Sequence, residues 1–219
     1  MRFYRNNYLH FSNMILYTIG HSNHSQERFL QLLQTHHVDC VVDVRSVPAS
    51  NYNPQFNQEA LDSFLQGKGI AYVFMGHEFG ARRLDSLDDT GQVDFEKAVD
   101  TDSFQQGVTR MQKILNDYQH VTLMCSEANP LTCHRFALVA RYFNAHGFDV
   151  NHILSDGTSL SHKSLEREMV EQYLKARKRV LPEIDELFGS YTATQQLNDA
   201  YRLKNKEIGF RTEHVEYYD

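Results

Sequence analysis

The sequence predicts an α/β protein, a three-layer Rossmann-like domain on a mainly parallel five-stranded sheet. Three observations carry that expectation. Short apolar, β-prone runs recur along the chain, among them VDCVVD at 38–43 and VTLMC at 121–125. Helix-periodic segments of ten or more residues separate them, as crossover units between parallel strands require. The runs are nearly continuous in apolar character, the pattern of strands covered on both faces.

Each element follows from local chemistry. The first strand is 14–19 (MILYTI), stopped by Gly20. Ser25 is placed to cap a helix over 26–36, whose apolar stripe is Phe29, Leu30, Leu32 and Leu33. After the strand at 38–43 comes a polar, proline-punctuated loop, and Asn57 is placed to cap a helix through Leu65. The third strand is 70–75 (IAYVFM). Segment 76–92 has no clear period and reads as a long loop, a length that usually serves function. A helix over 102–118, the strand 121–125, a helix over 133–146 capped by Thr132, a strand at 149–154 and a last firm helix over 161–179 complete the pattern. The domain therefore spans about 14–179, between a tail of 1–13 and an extension of 180–219. Met14 is an alternative start. The extension is expected to pack on the domain, on a second copy or on a partner, and it carries no recognisable chemistry.

Composition narrows the function. The 219 residues are 41% hydrophobic with only 11 Gly and 4 Pro, enough for a sizeable core and unlike a disordered or fibrous chain. Net charge is −6, so indiscriminate binding to nucleic acid or anionic membrane is not expected, although a local basic crevice is compatible with it. No run approaches the ~20 apolar residues of a membrane span, and the N-terminus lacks the apolar core of a signal peptide. Three unevenly spaced cysteines make no disulfide framework, which points to a reducing, cytoplasmic location. No Gly-x-Gly-x-x-Gly or Walker-type loop is present, and no cofactor is expected.

The sharpest local signal is MCSEANPLTCHR, 124–135. Cys125 ends a strand and a helix is expected to open with Cys133-His134-Arg135. Free amides and the positive dipole of a helix N-terminus hold anions and lower a thiol's pKa. The plain alternative is a pair of packed, inert thiols. With TIGHS (18–22), VVDVRSVPASNYNPQF (41–56), FGARR (79–83) and DVNHILSDG (149–157) followed by His162, this block resembles the family called domain of unknown function 488 (DUF 488), in five blocks in the same order over about 16–165. The resemblance implies an α/β fold and a set of motif residues but no reaction. The chain departs from the family's pattern at Ala81, where a glycine is usual, and in lacking a tryptophan before Cys133-His134-Arg135.

Parallel sheets bind ligands beyond the carboxyl ends of their strands, and the strand ends here are expected to face one crevice. The catalytic candidates are Cys125 and Cys133 as nucleophiles, with Glu127 and His134 moving protons. The substrate-binding candidates are His21, Ser22, Asp43, Arg45, Ser50, Tyr52, Arg82, Arg83, Arg135 and His162. Arg45 offers a guanidinium fork to a carboxylate or phosphate, with a salt bridge to Asp43 as its ordinary alternative. His152, inside a strand, reads as a hydrogen-bonded core residue. Zinc is a competing chemistry for Cys125, Cys133 and His134 with His21 or His162. The Cys-x7-Cys-His spacing lacks the short knuckle of structural zinc sites, so no metal is expected. The function expected is a small enzyme, a thiolate-dependent hydrolase or transferase, acting on an anionic small molecule that is phosphorylated, nucleotide or sulfur-containing. A ligand-sensing or interaction module and a nucleic-acid-associated protein are the alternatives.

Overall fold

β1 (Ile15–Gly20), β2 (Cys40–Asp43), β3 (Ala71–Phe74), β4 (Val121–Cys125), β5 (Asp149–Ile153) and β6 (Ser159–Ser161) form one sheet in the order β3-β2-β4-β1-β5-β6. The structure is a computed structural model and describes residues 15–180 and 191–212. The tail 1–13, the alternative start at Met14 and the end of the extension lie outside them. Every pairing is parallel except β5 with β6, which is antiparallel. The sheet thus has six strands where five are expected. β6 is missed because SLS is three residues long and largely exposed, with no apolar run to mark it.

Helices cover both faces. α1 (Gln26–Thr35) and α2 (Gln58–Gln66) bury Phe29, Leu32, Leu33, Leu61 and Leu65 against Ile19, Val41 and Met124. Ser25 caps α1 as expected, its hydroxyl accepting from the Arg28 N–H at 3.2 Å. Asn57 occupies the cap position of α2, but its Oδ1 accepts instead from the Ser50 N–H at 2.7 Å and so shapes the preceding loop. Segment 76–92 is built from short pieces: α3 (Gly76–Phe79), a 3-10 turn at Leu84–Ser86 and a bridge between Leu87 and Val93. Asp88 Oδ1 accepts from the N–H of Thr90 and Gln92, and such local capping leaves no periodic trace. α4 (Phe95–Ala98) follows.

The opposite face carries α5 (Asp102–Asp117), α6 (Arg141–Ala145), α7 (His162–Val180) and α8 (Ala193–Ile208). Phe104, Met111, Phe143, Leu165, Met169 and Tyr201 pack there with Leu16, Val42, Leu123 and Val150. α6 does not begin at Cys133. Cys133 is extended (φ −134°, ψ 141°), Thr132 ends a 3-10 turn at Pro130–Thr132, and a π-helical stretch, Arg135–Ala140, leads into α6. Wide π turns cost backbone geometry and occur mostly where function asks for them.

The topology singles out one position. β4 lies between β2 and β1, whose connections run to α2 and α1 on one face, whereas β4 itself connects to α6 on the other. Loops diverge on both sides of Cys125, which is where open α/β sheets leave room for chemistry.

Candidate functional site at the end of β4

The loop after β4 is held from two sides. The His21 N–H donates to Cys125 O at 2.9 Å and the Ser22 N–H to Ser126 O at 2.8 Å, so the β1–β4 pairing continues past both strands. Gly20 is required there: an added Cβ would stand 1.8 Å from Glu127 O. Beneath the loop, the fully buried Arg135 guanidinium donates to Glu127 O at 2.6 Å and Ala128 O at 3.1 Å. Cys133, being extended, turns its sulfur back toward β4.

Four side chains meet as a result. Glu127 Oε2 accepts from the Cys125 thiol at 3.0 Å and the Cys133 thiol at 2.9 Å. His134 Nδ1 faces both sulfurs, at 3.7 and 3.9 Å, while Nε2 sits 3.0 Å from Val44 O. The Arg135 N–H donates to Cys133 Sγ at 3.4 Å. Both cysteines and His134 are buried, and Glu127 covers them from the solvent side. The environment splits the thiols. The hydrogen bond with Cys133 and burial push Cys125 well up. Burial opposes ionisation of Cys133 too, but the hydrogen bond from Cys125, the Arg135 charge and His134 outweigh it and hold Cys133 well below a free thiol. Burial and then Cys133 raise the Glu127 carboxyl. His134 is raised because Cys133 and Glu127 overcome its burial.

The strand-end residues gather in adjoining groups rather than in one cluster of side chains, with His134 Nε2 against Val44 O and the His21 N–H on Cys125 O linking them. His21, Asp43 and Arg45 gather on the α1/α2 side, around Phe56. Arg45 Nη2 meets Asp43 Oδ2 at 2.6 Å and donates to Phe56 O at 2.8 Å, and Nη1 lies 3.1 Å from His21 Nε2. His21 Nδ1 lies 2.8 Å from Ser22 O and its ring stacks on Phe56, with centroids 4.3 Å apart. Because Ser22 O can only accept, Nδ1 carries the hydrogen and Nε2 accepts from the Arg45 Nη1–H. Burial and the Arg45 charge lower His21 to about 4. Tyr72 O–H donates to Asp43 Oδ2 at 2.7 Å.

The remaining candidates are dispersed. Ser22 adopts a left-handed φ of 50° and bonds Asn23. Ser50 Oγ accepts from the N–H of Tyr52 and Asn53, and Tyr52 is 95% exposed. Arg83 is buried and donates to Glu78 O, Asp85, Thr101 and Ser103, whereas Arg82 is exposed with its guanidinium over Phe210.

His162 belongs to another group. Thr18 Oγ1 lies 2.8 Å from His152 Nδ1, His152 Nε2 lies 3.0 Å from His162 Nδ1, and His162 Nε2 lies 2.8 Å from Tyr201 OH. Tyr201 O–H donates to Glu166 Oε1 at 2.8 Å. The Glu166 end polarises the row. The Tyr201 hydroxyl is committed as donor to Glu166, so His162 Nε2–H donates to Tyr201, His152 Nε2–H to His162, and the Thr18 hydroxyl to His152. Burial lowers both histidines, His162 to about 3 and His152 well below the ordinary range. Tyr201 and Glu166 carry no sequence motif. The expectation that the extension packs on the domain is met at Tyr201, which is buried in the main core.

Fold and site together define an α/β protein with a thiol, imidazole and carboxylate group at the carboxyl end of a central strand. Residues 25–142, more than half of the chain, match the family described as Domain of unknown function DUF488, and the chain belongs to that family. No curated protein and no solved structure matches it. No helix among the described residues is long and apolar enough to cross a membrane.

Proposed function

We propose that the chain is a small cytoplasmic enzyme that acts on an anionic small molecule at the carboxyl end of β4. The observation that carries this reading is the meeting of Cys125, Glu127, Cys133 and His134 within hydrogen-bonding reach at the point where the sheet's connections diverge. Such a group supplies nucleophilic, proton-transferring and ligand-binding atoms at one place. Glu127, the member nearest solvent, is the group assigned to move a proton between substrate and water.

Arg135 supports the preference for an anion. It is buried, and among the described residues it is held by backbone carbonyls alone and its Nε has no hydrogen-bond partner. A buried cation without a carboxylate favours negative charge nearby. Arg45 is already matched by Asp43 and supports the reading less.

The test is a turnover screen over phosphate esters, nucleotides, thioesters and persulfides, with wild-type protein and Glu127→Gln side by side. Turnover that falls at least 100-fold in the variant, with unchanged circular dichroism, is expected. A compound that raises the melting temperature without being consumed would overturn the enzyme reading in favour of a sensing module.

A further inference from the structure

We propose that Cys125, Cys133 and His134 bind a divalent transition-metal ion of the zinc type, with Glu127 completing the set once its carboxylate turns toward His134. The inference deepens the reading of this site and rests on the same four side chains, but not on any turnover.

Three features of the geometry argue for an ion. The first is orientation. Val44 O can only accept, so the hydrogen on His134 Nε2 points to it, and in the neutral ring Nδ1 presents a bare lone pair to both sulfurs. A backbone acceptor that fixes the tautomer and aims the other nitrogen is the usual support of a metal-binding histidine. The second is spacing. The sulfur, sulfur and imidazole ligand atoms all lie within 4.8 Å of one another, the one such group among the described residues. Tetrahedral zinc, with Zn–S of about 2.3 Å and Zn–N of about 2.0 Å, sets S···N edges of about 3.6 Å. The observed 3.7 and 3.9 Å are close to that and too long for strong hydrogen bonds. Glu127 Oε2 accepts from both thiols at 3.0 and 2.9 Å but stands outside that 4.8 Å group, so its carboxylate has to turn toward His134 to complete a tetrahedral site.

The third is charge. Two thiolates and one carboxylate around a divalent ion leave one net negative charge. Arg135, which has no carboxylate partner among the described residues, balances it, and its backbone N–H already donates to Cys133 Sγ. On binding, the thiol protons are released to solvent and two S–metal bonds form. No oxidation is involved. Two thiolates with imidazole are borderline-soft ligands that select zinc over magnesium or calcium. Three firm ligands and a carboxylate at the solvent side also fit a site that opens one position to substrate.

The Cys-x7-Cys-His spacing argues against a closed structural knuckle, and the structure shows how the long spacing is closed. The 3-10 turn at Pro130–Thr132 and the extended Cys133 fold the loop back, so both sulfurs arrive on the same oxygen.

The full chain, purified without chelator, is analysed for metal by mass spectrometry and then titrated with Co2+ after dialysis against chelator. About one equivalent of zinc is expected, along with a sulfur-to-cobalt charge-transfer band and the intense visible bands of a tetrahedral site. Cys133→Ser is expected to weaken Co2+ binding at least tenfold. Glu127→Gln, which keeps all three firm ligands, is expected to retain the charge-transfer band with weaker binding. If Cys133→Ser fails to fold, the wild-type spectrum and Glu127→Gln still decide. Wild-type protein that takes up no Co2+ while both thiols alkylate freely would overturn the proposal in favour of a bare thiolate–imidazolium pair. Metal uptake is read without substrate, so its failure is separate from failure of the enzyme reading.

Discussion

At the scale of single residues, Gly20 has the least freedom. Its neighbour across the gap is backbone, Glu127 O, and a backbone carbonyl cannot rotate away as a side chain can. Gly20→Ala therefore has to push the loop off β1, and it is expected to cost about 2–3 kcal/mol by denaturant unfolding. The same displacement moves Glu127 from the sulfurs, so both thiols should alkylate faster in the folded variant. An alanine variant with unchanged stability and thiol reactivity would contradict the close approach described here. Glycine after a strand is legible in sequence as a terminator. That its missing side chain makes room for a loop over one hundred residues away is not.

At the scale of elements, β1, β5, α7 and α8 meet in the row Thr18–His152–His162–Tyr201–Glu166. His162 faces Glu166 at 3.6 Å and feels Arg141, His152 feels Arg135, and burial keeps both rings neutral. A histidine whose folded pKa is depressed binds its proton more readily unfolded. The stability it contributes is complete above its unfolded value near 6.5 and is lost as pH falls from there toward its folded value. With both rings acting, the slope of stability against pH should approach about 2.7 kcal/mol per unit near pH 5. Chemical denaturation of wild type and of His152→Asn/His162→Gln between pH 7 and 4 checks this. The double variant should show a flatter acid limb, and equal slopes would remove the histidines as its cause. His152 read as core from its place inside a strand, whereas His162 read as a site residue because sequence does not show what a helix start faces.

At the scale of the molecule, α8 closes the α5–α7 face. Ala200 and Tyr201 are buried in the main core, Asn205 Oδ1 accepts from the Phe95 N–H at 2.6 Å, and the Val93 N–H donates to Phe210 O at 2.9 Å. The extension is therefore wall as well as tail. A chain ending at residue 180 would expose the surface around Phe136 and leave His162 Nε2 without its acceptor. Removing such buried contacts costs several kcal/mol, which in a chain of this size should lower the melting temperature by more than about 10 °C. Calorimetry and dye binding to exposed apolar surface would check it, and an unchanged transition would mean that α8 is dispensable.

The sequence by itself determined the layered α/β architecture, five of the six strands, the helices that begin at Gln26, Gln58 and Asp102, and the segment in which thiols and imidazole lie. These are written in short-range patterns: apolar runs, 3.6-residue periodicity and capping side chains. Only the tertiary structure decided that Arg45 is matched by Asp43 on one face of the sheet while Cys125, Cys133, His134 and Arg135 converge on the other. It also decided that the helix after Cys133 starts late and with π turns, and that Tyr201 belongs to the core. The physical reason is that each of these depends on which strand lies beside which. β4 sits between β2 and β1 because loops connect through space, and no local pattern along the chain records that neighbourhood.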